Sequence, residues 1–479
     1  MRSLELLSVV MNILLLGWLI FARNKTNRML FIGFDISALL VLIHGFVEGM
    51  RWQMIPVYVI TFLPICILAA RYLLKSEGVV GKRSVIRQIV MITLAVLYSY
   101  FAVSLPLWYP VFTFEKPSGP YKIGTVTYDW KDSQREETIK PKSGDKRELM
   151  VQIWYPASST AKGKTAPYVP ASDVFENAYS QNFDMHKMLF TSMKYVKTHA
   201  IENAEISDKE ATYPVLLFSH GMGGHKSHNT FQIEQLVSYG YIVVGIDHTY
   251  NSIASVFDDG RVANFIPQDP SVGHLDELNK VWVDDAKFVL NQVEKLANGD
   301  PDHRFTGRMD MKNVGMFGHS YGGATSVQML MSDARIKAAI NLDGGLFGQL
   351  RIPEGGVKKP LLMISADRTL AGANQIAAAE GTTRKALNKY FGDIFERYKH
   401  VAEGGNYWMK IKNMDHLAFC DMYLISPLLE NTVGVNLRPA HRLINEYSLD
   451  FFNHYLKGRP FEKLEQSIGD NPEFSLEKG

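Results

Sequence analysis

Apolar positions are distributed unevenly along the 479 residues. Four long apolar stretches come first, at about 4–22, 29–47, 54–74 and 88–108. Each is close to the ~20 residues that cross a hydrocarbon core as a helix. Joined by short links, they predict four transmembrane helices rather than a buried bundle. Beyond about residue 113 the texture changes. Pro117, Pro120 and the charged stretch Asp129 to Arg147 read as a linker and an opening hairpin. Short apolar runs then alternate with helical patterns, the signature of parallel βαβ units. Strands are expected near 149–154, 214–218, 241–246, 313–317, 336–341, 360–365 and 407–411, and helices near 229–239, 278–297, 321–332 and 439–456. The expected organisation is a four-helix membrane region (1–112), a linker and hairpin (113–148) and an α/β catalytic domain with a mostly parallel sheet (149–479).

Charge orients this picture. Residues 1–112 carry ten Lys and Arg against four Asp and Glu, a net +6, and the remainder carries −4. Arg23, Lys25 and Arg28 follow the first stretch, and Arg71, Lys75, Lys82, Arg83 and Arg87 surround the third link, whereas the second link has only Glu48 and Arg51. By the positive-inside rule the first and third links are cytoplasmic, which puts the N-terminus and the catalytic domain on the extracytoplasmic side of the cell membrane. Trp108 and Tyr109 then fit an interfacial aromatic belt. The cationic run after the first stretch and the lack of an A-x-A-like site favour a retained helix over a cleaved signal peptide. Asp35 and His44 fall inside the second stretch, and ionisable groups at membrane depth are candidates for function. Asp35 is close to a cationic link and His44 to the outer end, so pairing with a neighbouring helix is the simpler reading for both.

Composition closes other routes. No dense Lys/Arg stripe accompanies the catalytic part, so a nucleic-acid partner is not expected. Two cysteines, Cys66 and Cys420, give no disulfide framework. Neither C-x-x-C nor H-E-x-x-H occurs, so no metal or cofactor is expected.

The chemistry concentrates at one pattern. The apolar run Val314-Gly315-Met316-Phe317 leads directly into Gly318-His319-Ser320-Tyr321-Gly322-Gly323, and a helix-forming stretch follows. A bare G-x-S-x-G arises by chance in about one chain in six of this length. Its strand-turn-helix setting makes it a nucleophile elbow, with Ser320 as nucleophile at a helix N-terminus that favours a developing anion. Upstream, Val215 to Phe218 runs into Ser219-His220-Gly221-Met222-Gly223-Gly224, where this fold places its second oxyanion donor. The backbone N–H groups of Met222 and Tyr321 are assigned to that role.

The triad order Ser, acid, His leaves His416, just after the strand Tyr407 to Ile411, as the histidine. His400, His441 and His454 read as structural or surface residues. His220, His225, His228 and His248 precede the serine, and His319 adjoins it in the turn. For the acid, Asp343 and Asp367 each follow a strand, and the pattern does not separate them.

These residues resemble the platelet-activating-factor acetylhydrolase family, the plasma-type lipoprotein-associated phospholipases A2, together with their bacterial relatives. The resemblance rests on Trp154-Tyr155-Pro156, Phe218 to Gly223, Gly318 to Gly323 and Leu342-Asp343-Gly344, and covers roughly 120–457. It implies the α/β-hydrolase fold, Asp343 as the triad acid with Asp367 the alternative, and Met222 and Tyr321 as oxyanion donors. It implies a short or oxidised acyl chain on a phospholipid as substrate, held near the bilayer by the membrane region. The 73 positions between Asp343 and His416, including a charged helical segment at about 379–400, are longer than expected for the plasma enzymes and suggest an insertion with the length of a lid. A general carboxylesterase, an acyltransferase, or a transporter or sensor with a hydrolase-like module are the alternatives.

Overall fold

The computed structural model of the chain describes residues 1–21, 27–73, 85–370 and 392–479. Arg23, Lys25, Lys75, Lys82 and Arg83 of the cationic links, and residues 379–391 of the expected insertion, lie outside them. The described chain divides into two compact units. One comprises Met1–Phe112 with Met188–Val196 and Ile425–Leu428, and the other the rest, beginning at Thr113.

The first unit holds four helices, α1 (Ser3–Phe21), α2 (Asn27–Val47), α3 (Ile55–Leu73) and α4 (Val85–Trp108). Among the described residues, α1 and α4 are long and apolar enough to cross a membrane, with mean hydropathy 2.2 and 1.9, while the other two have shorter apolar parts, Ile32–Val47 and Trp52–Cys66. The expected four equivalent spans thus narrow to two that meet this requirement. A polar seam ties the helices together. Asn12 on α1 donates to the Val57 carbonyl (3.0 Å) and Thr61 Oγ1 (2.8 Å) on α3, and accepts from Ser37 Oγ on α2 (2.7 Å). Such bonds hold apolar helices together where burial alone gives little preference for one partner over another. His44 is buried against Glu48 (3.1 Å) and Tyr58 (2.9 Å), whereas Asp35 is exposed on α2.

The second unit is built on a twelve-stranded sheet. Its strands in chain order are β1 (Lys122–Glu136), β2 (Lys146–Ala157), β3 (Thr165–Pro167), β4 (Lys197–Glu202), β5 (Tyr213–Ser219) and β6 (Ile242–Ile246). After a separate two-stranded ribbon of β7 (Ala254–Val256) and β8 (Val262–Asn264) come β9 (Met309–His319), β10 (Ile336–Leu342), β11 (Leu361–Ala366), β12 (Tyr407–Ile411), β13 (Gly469–Asp470) and β14 (Phe474–Lys478). The spatial order is β13-β14-β12-β11-β10-β9-β5-β6-β2-β1-β4-β3, and the central run from β12 to β6 is parallel throughout. The opening hairpin is part of this sheet: β1 pairs antiparallel with β2, which pairs antiparallel with β6.

Strand residues alternate between two cores because successive side chains point to opposite faces. Val215, Leu217, Val314, Met316 and Met363 face one side, where α7 (Val272–Gly299) and α8 (Tyr321–Ser332) cover them with Trp282, Ala286, Val289, Ala324 and Val327. Leu216, Phe218, Phe317, Ile340 and Ile364 face the other, against α6 (Thr230–Ser238), the next α-helix in the chain after α5 (Ser172–Phe183), and the helix Leu437–Lys457. Burial on both faces is why these strands read as continuous apolar runs. Parallel strands also send their C-terminal ends to one edge, where β5, β9, β10 and β11 deliver the loops of the candidate site.

Candidate active site

Ser320 caps α8 with φ 54° and ψ −120°, a conformation few side-chain-bearing residues adopt. The turn around it leaves no room for side chains. A Cβ on Gly318 would lie 2.3 Å from the Gly322 carbonyl oxygen, and one on Gly322 would lie 2.1 Å from that of Ser219. Both glycines are therefore fixed by backbone contact, and Ser320 is left at the start of α8.

The structure brings the sequence-selected Ser320, His416 and Asp343 together. His416 Nε2 lies 2.9 Å from Ser320 Oγ, and its Nδ1 lies 2.6 Å from Asp343 Oδ2. Asp343 is buried and accepts from the Ala366 amide (2.9 Å) and the Thr369 hydroxyl (2.7 Å), donors that hold its carboxylate in place. His416 keeps 37% of its side chain exposed, so the Ser320 end of the array is open to a ligand. Burial alone would lower the His416 pKa, but the hydrogen bond and charge of Asp343 outweigh it and raise the group above its ordinary 6.5. His319 also takes part: its Nε2 donates to the His416 carbonyl (3.0 Å), tying the elbow to the histidine loop. Burial, then the neighbouring His416, keep His319 well below its ordinary value and hence neutral.

Asp367 is not brought to the imidazole. Its carboxylate accepts from the backbone amides of Asn413 (2.8 Å) and Met414 (3.1 Å), shaping the turn that precedes His416. Gly221 lies beside Ser320, since a Cβ on it would meet Ser320 Cβ at 3.1 Å, and Met222 follows it in the chain. Tyr321 is the first residue of α8, so its amide lacks an intrahelical acceptor. Of the expected insertion, residues 392–398 are helical, Arg397 pairs with Asp276 (2.6 and 2.8 Å), and Tyr398 donates to the Gly344 carbonyl (3.1 Å) next to Asp343.

Sequence reasoning passed over a second array beneath this one. Ser219 Oγ lies 2.9 Å from His248 Nε2, and His248 Nδ1 lies 3.0 Å from Asp285 Oδ2, all three wholly buried. Arg147 (3.0 and 2.6 Å) and Arg135 (2.8 Å) also hold Asp285. Burial opposes ionisation of Asp285, but the charge of Arg147 overcomes it and keeps the carboxylate well below its usual range. Asp247, next to His248 in the chain, belongs to a different pair, with Lys226 at 2.7 Å. With no exposure, this array has no access to substrate.

Among the described residues, one group has metal-like spacing: Glu5, His44 and Glu48, in the helical unit. Their charges are already matched. Arg51 grips Glu5 at 2.6 and 2.8 Å, Arg2 grips it at 2.7 Å, and Arg2 also lies 3.7 Å from Glu48. Two guanidinium groups balance two carboxylates, which makes the cluster an ion-pair network rather than a cation site.

A parallel sheet covered on both faces by helices, with a strand-elbow-helix at its centre, defines the α/β-hydrolase class. Residues 110–471 match the family described as platelet-activating factor acetylhydrolase, isoform II, and the chain belongs to that family. A platelet-activating factor acetylhydrolase of Cavia porcellus is 25% identical over 371 residues, 72% of this chain and 78% of that protein. A protein of Arthroderma benhamiae described as a probable 1-alkyl-2-acetylglycerophosphocholine esterase is 29% identical over 262 residues, 52% of this chain and 63% of its own length. Among solved structures, a ferulic acid esterase from Streptomyces cinnamoneus superposes with a TM-score of 0.58 at 25% identity, covering 77% of this chain and 99% of the esterase. The chain is an ester hydrolase.

Proposed function

We propose that Ser320, His416 and Asp343 carry out ester hydrolysis through an acyl-enzyme, on a phospholipid bearing a short or oxidised acyl chain. The observation that carries this reading is the continuous hydrogen-bonded line from Asp343 through His416 to Ser320, at 2.6 and 2.9 Å. Neutral His416 removes the Ser320 proton as Oγ bonds to the ester carbonyl carbon. The carbonyl oxygen becomes an oxyanion facing the Met222 and Tyr321 amides. Collapse breaks the bond to the leaving alcohol, which takes the proton back from His416. Water then attacks the acyl-enzyme with His416 again as base, releasing the acid and restoring Ser320. Asp343 holds the imidazole with its proton on Nδ1 and stabilises the imidazolium.

The phospholipid assignment draws on the names of the relatives and on the helical unit. We assign that unit to the bilayer. The outward-facing Val85, Ile86, Ile89, Leu94 and Val96 of α4 suit a lipid environment. The cationic first and third links support a cytoplasmic position for both and an extracytoplasmic one for the catalytic unit. The ferulic acid esterase neighbour supports a second reading, a carboxylesterase of broader scope.

Ser320→Ala should abolish labelling by a fluorophosphonate probe, and undiminished labelling would remove the serine from the mechanism. Comparing purified full-length enzyme on p-nitrophenyl esters and on short-chain phospholipids separates the two substrate readings. A strong preference for the phospholipid supports the first, and equal or better turnover of the simple esters supports the second.

A further inference from the structure

The loop carrying Met222 is held by groups to which no catalytic step has been given. His220 is wholly buried, and its Nδ1 lies 2.7 Å from the Gly221 carbonyl oxygen. Its Nε2 accepts from the backbone amide of His248 at 3.2 Å, so the single proton of the neutral ring sits on Nδ1 and is donated to Gly221. Burial, then the neighbouring His248, hold His220 well below its ordinary value, so the ring keeps that neutral form. The Asp285-His248-Ser219 array fixes His248 from below.

The Gly221 carbonyl and the Met222 N–H belong to one peptide unit. That unit is planar and trans, so fixing the direction of its carbonyl fixes the direction of its N–H on the opposite side. The Gly224 amide donates to the same carbonyl at 2.8 Å. Two donors at the carbonyl also polarise the peptide and strengthen its N–H as a donor.

We infer that His220 is a positioning residue for the oxyanion site: through Gly221 it aims and strengthens the Met222 amide. The inference rests on the assignment of Met222 as an oxyanion donor. The competing account is packing alone, since the His220 ring meets Trp282 edge-on at 5.1 Å.

Two substitutions of the full-length enzyme separate these accounts, assayed on p-nitrophenyl acetate. His220→Phe keeps the ring and removes the donor, whereas His220→Asn places an amide N–H close to the position of Nδ1. His220→Phe should lower kcat about 10- to 100-fold with KM within about twofold, part of the 10²–10³ that loss of a whole oxyanion donor costs. His220→Asn should recover kcat to within about fivefold of wild type, because the bond to Gly221 is restored. A His220→Phe kcat within twofold of wild type, or His220→Asn as slow as His220→Phe, overturns the inference. Should His220→Phe fail to fold, the ¹⁵N spectrum of the wild-type histidines decides. A proton on Nδ1 of His220 supports the inference, and a proton on Nε2 defeats it. Ser320→Ala runs in parallel. If that variant stays active, the underlying assignment falls, whereas an inactive Ser320→Ala beside a normal His220→Phe removes only the role of His220.

Discussion

Asp343 and Asp367 follow adjacent parallel strands, yet only Asp343 meets the His416 ring, at 2.6 Å, while Asp367 binds the backbone two and three residues before it. One carboxylate orients the imidazole and the other shapes the turn that delivers it. Their substitutions should therefore fail in different ways.

Asp343→Asn should lower kcat by roughly 10³–10⁴ while leaving the fold intact, because an amide in that place favours the wrong imidazole tautomer. Asp367→Ala should cost about 1–3 kcal/mol of stability by leaving two amides without their acceptor. Its folded fraction should keep kcat within about tenfold of wild type, the loss of one turn-shaping contact rather than of a triad member. Thermal melts and steady-state kinetics on both variants test the division of labour. The reverse pattern would make Asp367 the acid.

With His416 as general base, the enzyme is active when that ring is neutral. Its pKa is raised above 6.5 in the folded state, so activity should climb as pH rises through a value above 6.5 and be lost below it. A kcat/KM profile whose acid limb lies at or below pH 6.5 would contradict the pairing with Asp343. The same shift means that the pair stabilises the folded chain most fully below the ordinary imidazole value, and this contribution fades as pH rises through the raised one.

Gly322→Ala should damage both fold and labelling. Its Cβ would sit 2.1 Å from the Ser219 carbonyl oxygen and 2.4 Å from that of His220, where backbone must move to accommodate it. Overpacking costs about 1–3 kcal/mol where side chains can yield, and more is expected against main chain. Reduced fluorophosphonate labelling with a lowered Tm is the expected result, and wild-type labelling would refute the tight turn.

In the helical unit, Arg51→Met removes one of the two guanidinium groups on buried Glu5. Breaking a buried pair from one side costs about 3–5 kcal/mol. The midpoint of thermal unfolding in detergent should fall for this variant, while probe labelling of the folded enzyme stays at the wild-type rate. An unchanged midpoint would show that Arg2 alone satisfies Glu5.

Much of this was legible in the chain. The central strands announce themselves because both faces are buried, and the elbow because its glycines are forced by backbone contact. His416 follows from its place after β12. Asp343 and Asp367 could not be told apart locally, since each ends a buried parallel strand and each reaches the same loop. Only the family resemblance favoured Asp343. The Arg147-Asp285-His248-Ser219 network was hidden for another reason: its members come from three elements and a loop, with Arg147 and Asp285 138 positions apart, and no local pattern records such a meeting. The short strands β3 and β13 offer too few residues for a period to show.

Ser320 and Asp343 both hold left-handed backbone, each with φ 54°. A residue kept in such a sparsely populated conformation costs of order 1–3 kcal/mol, and glycine bears it more easily than any residue with a Cβ. A chain with glycine at position 320 should therefore be chemically inert and yet outlast the working enzyme on heating. On the proposed mechanism, the nucleophile is carried at the expense of durability.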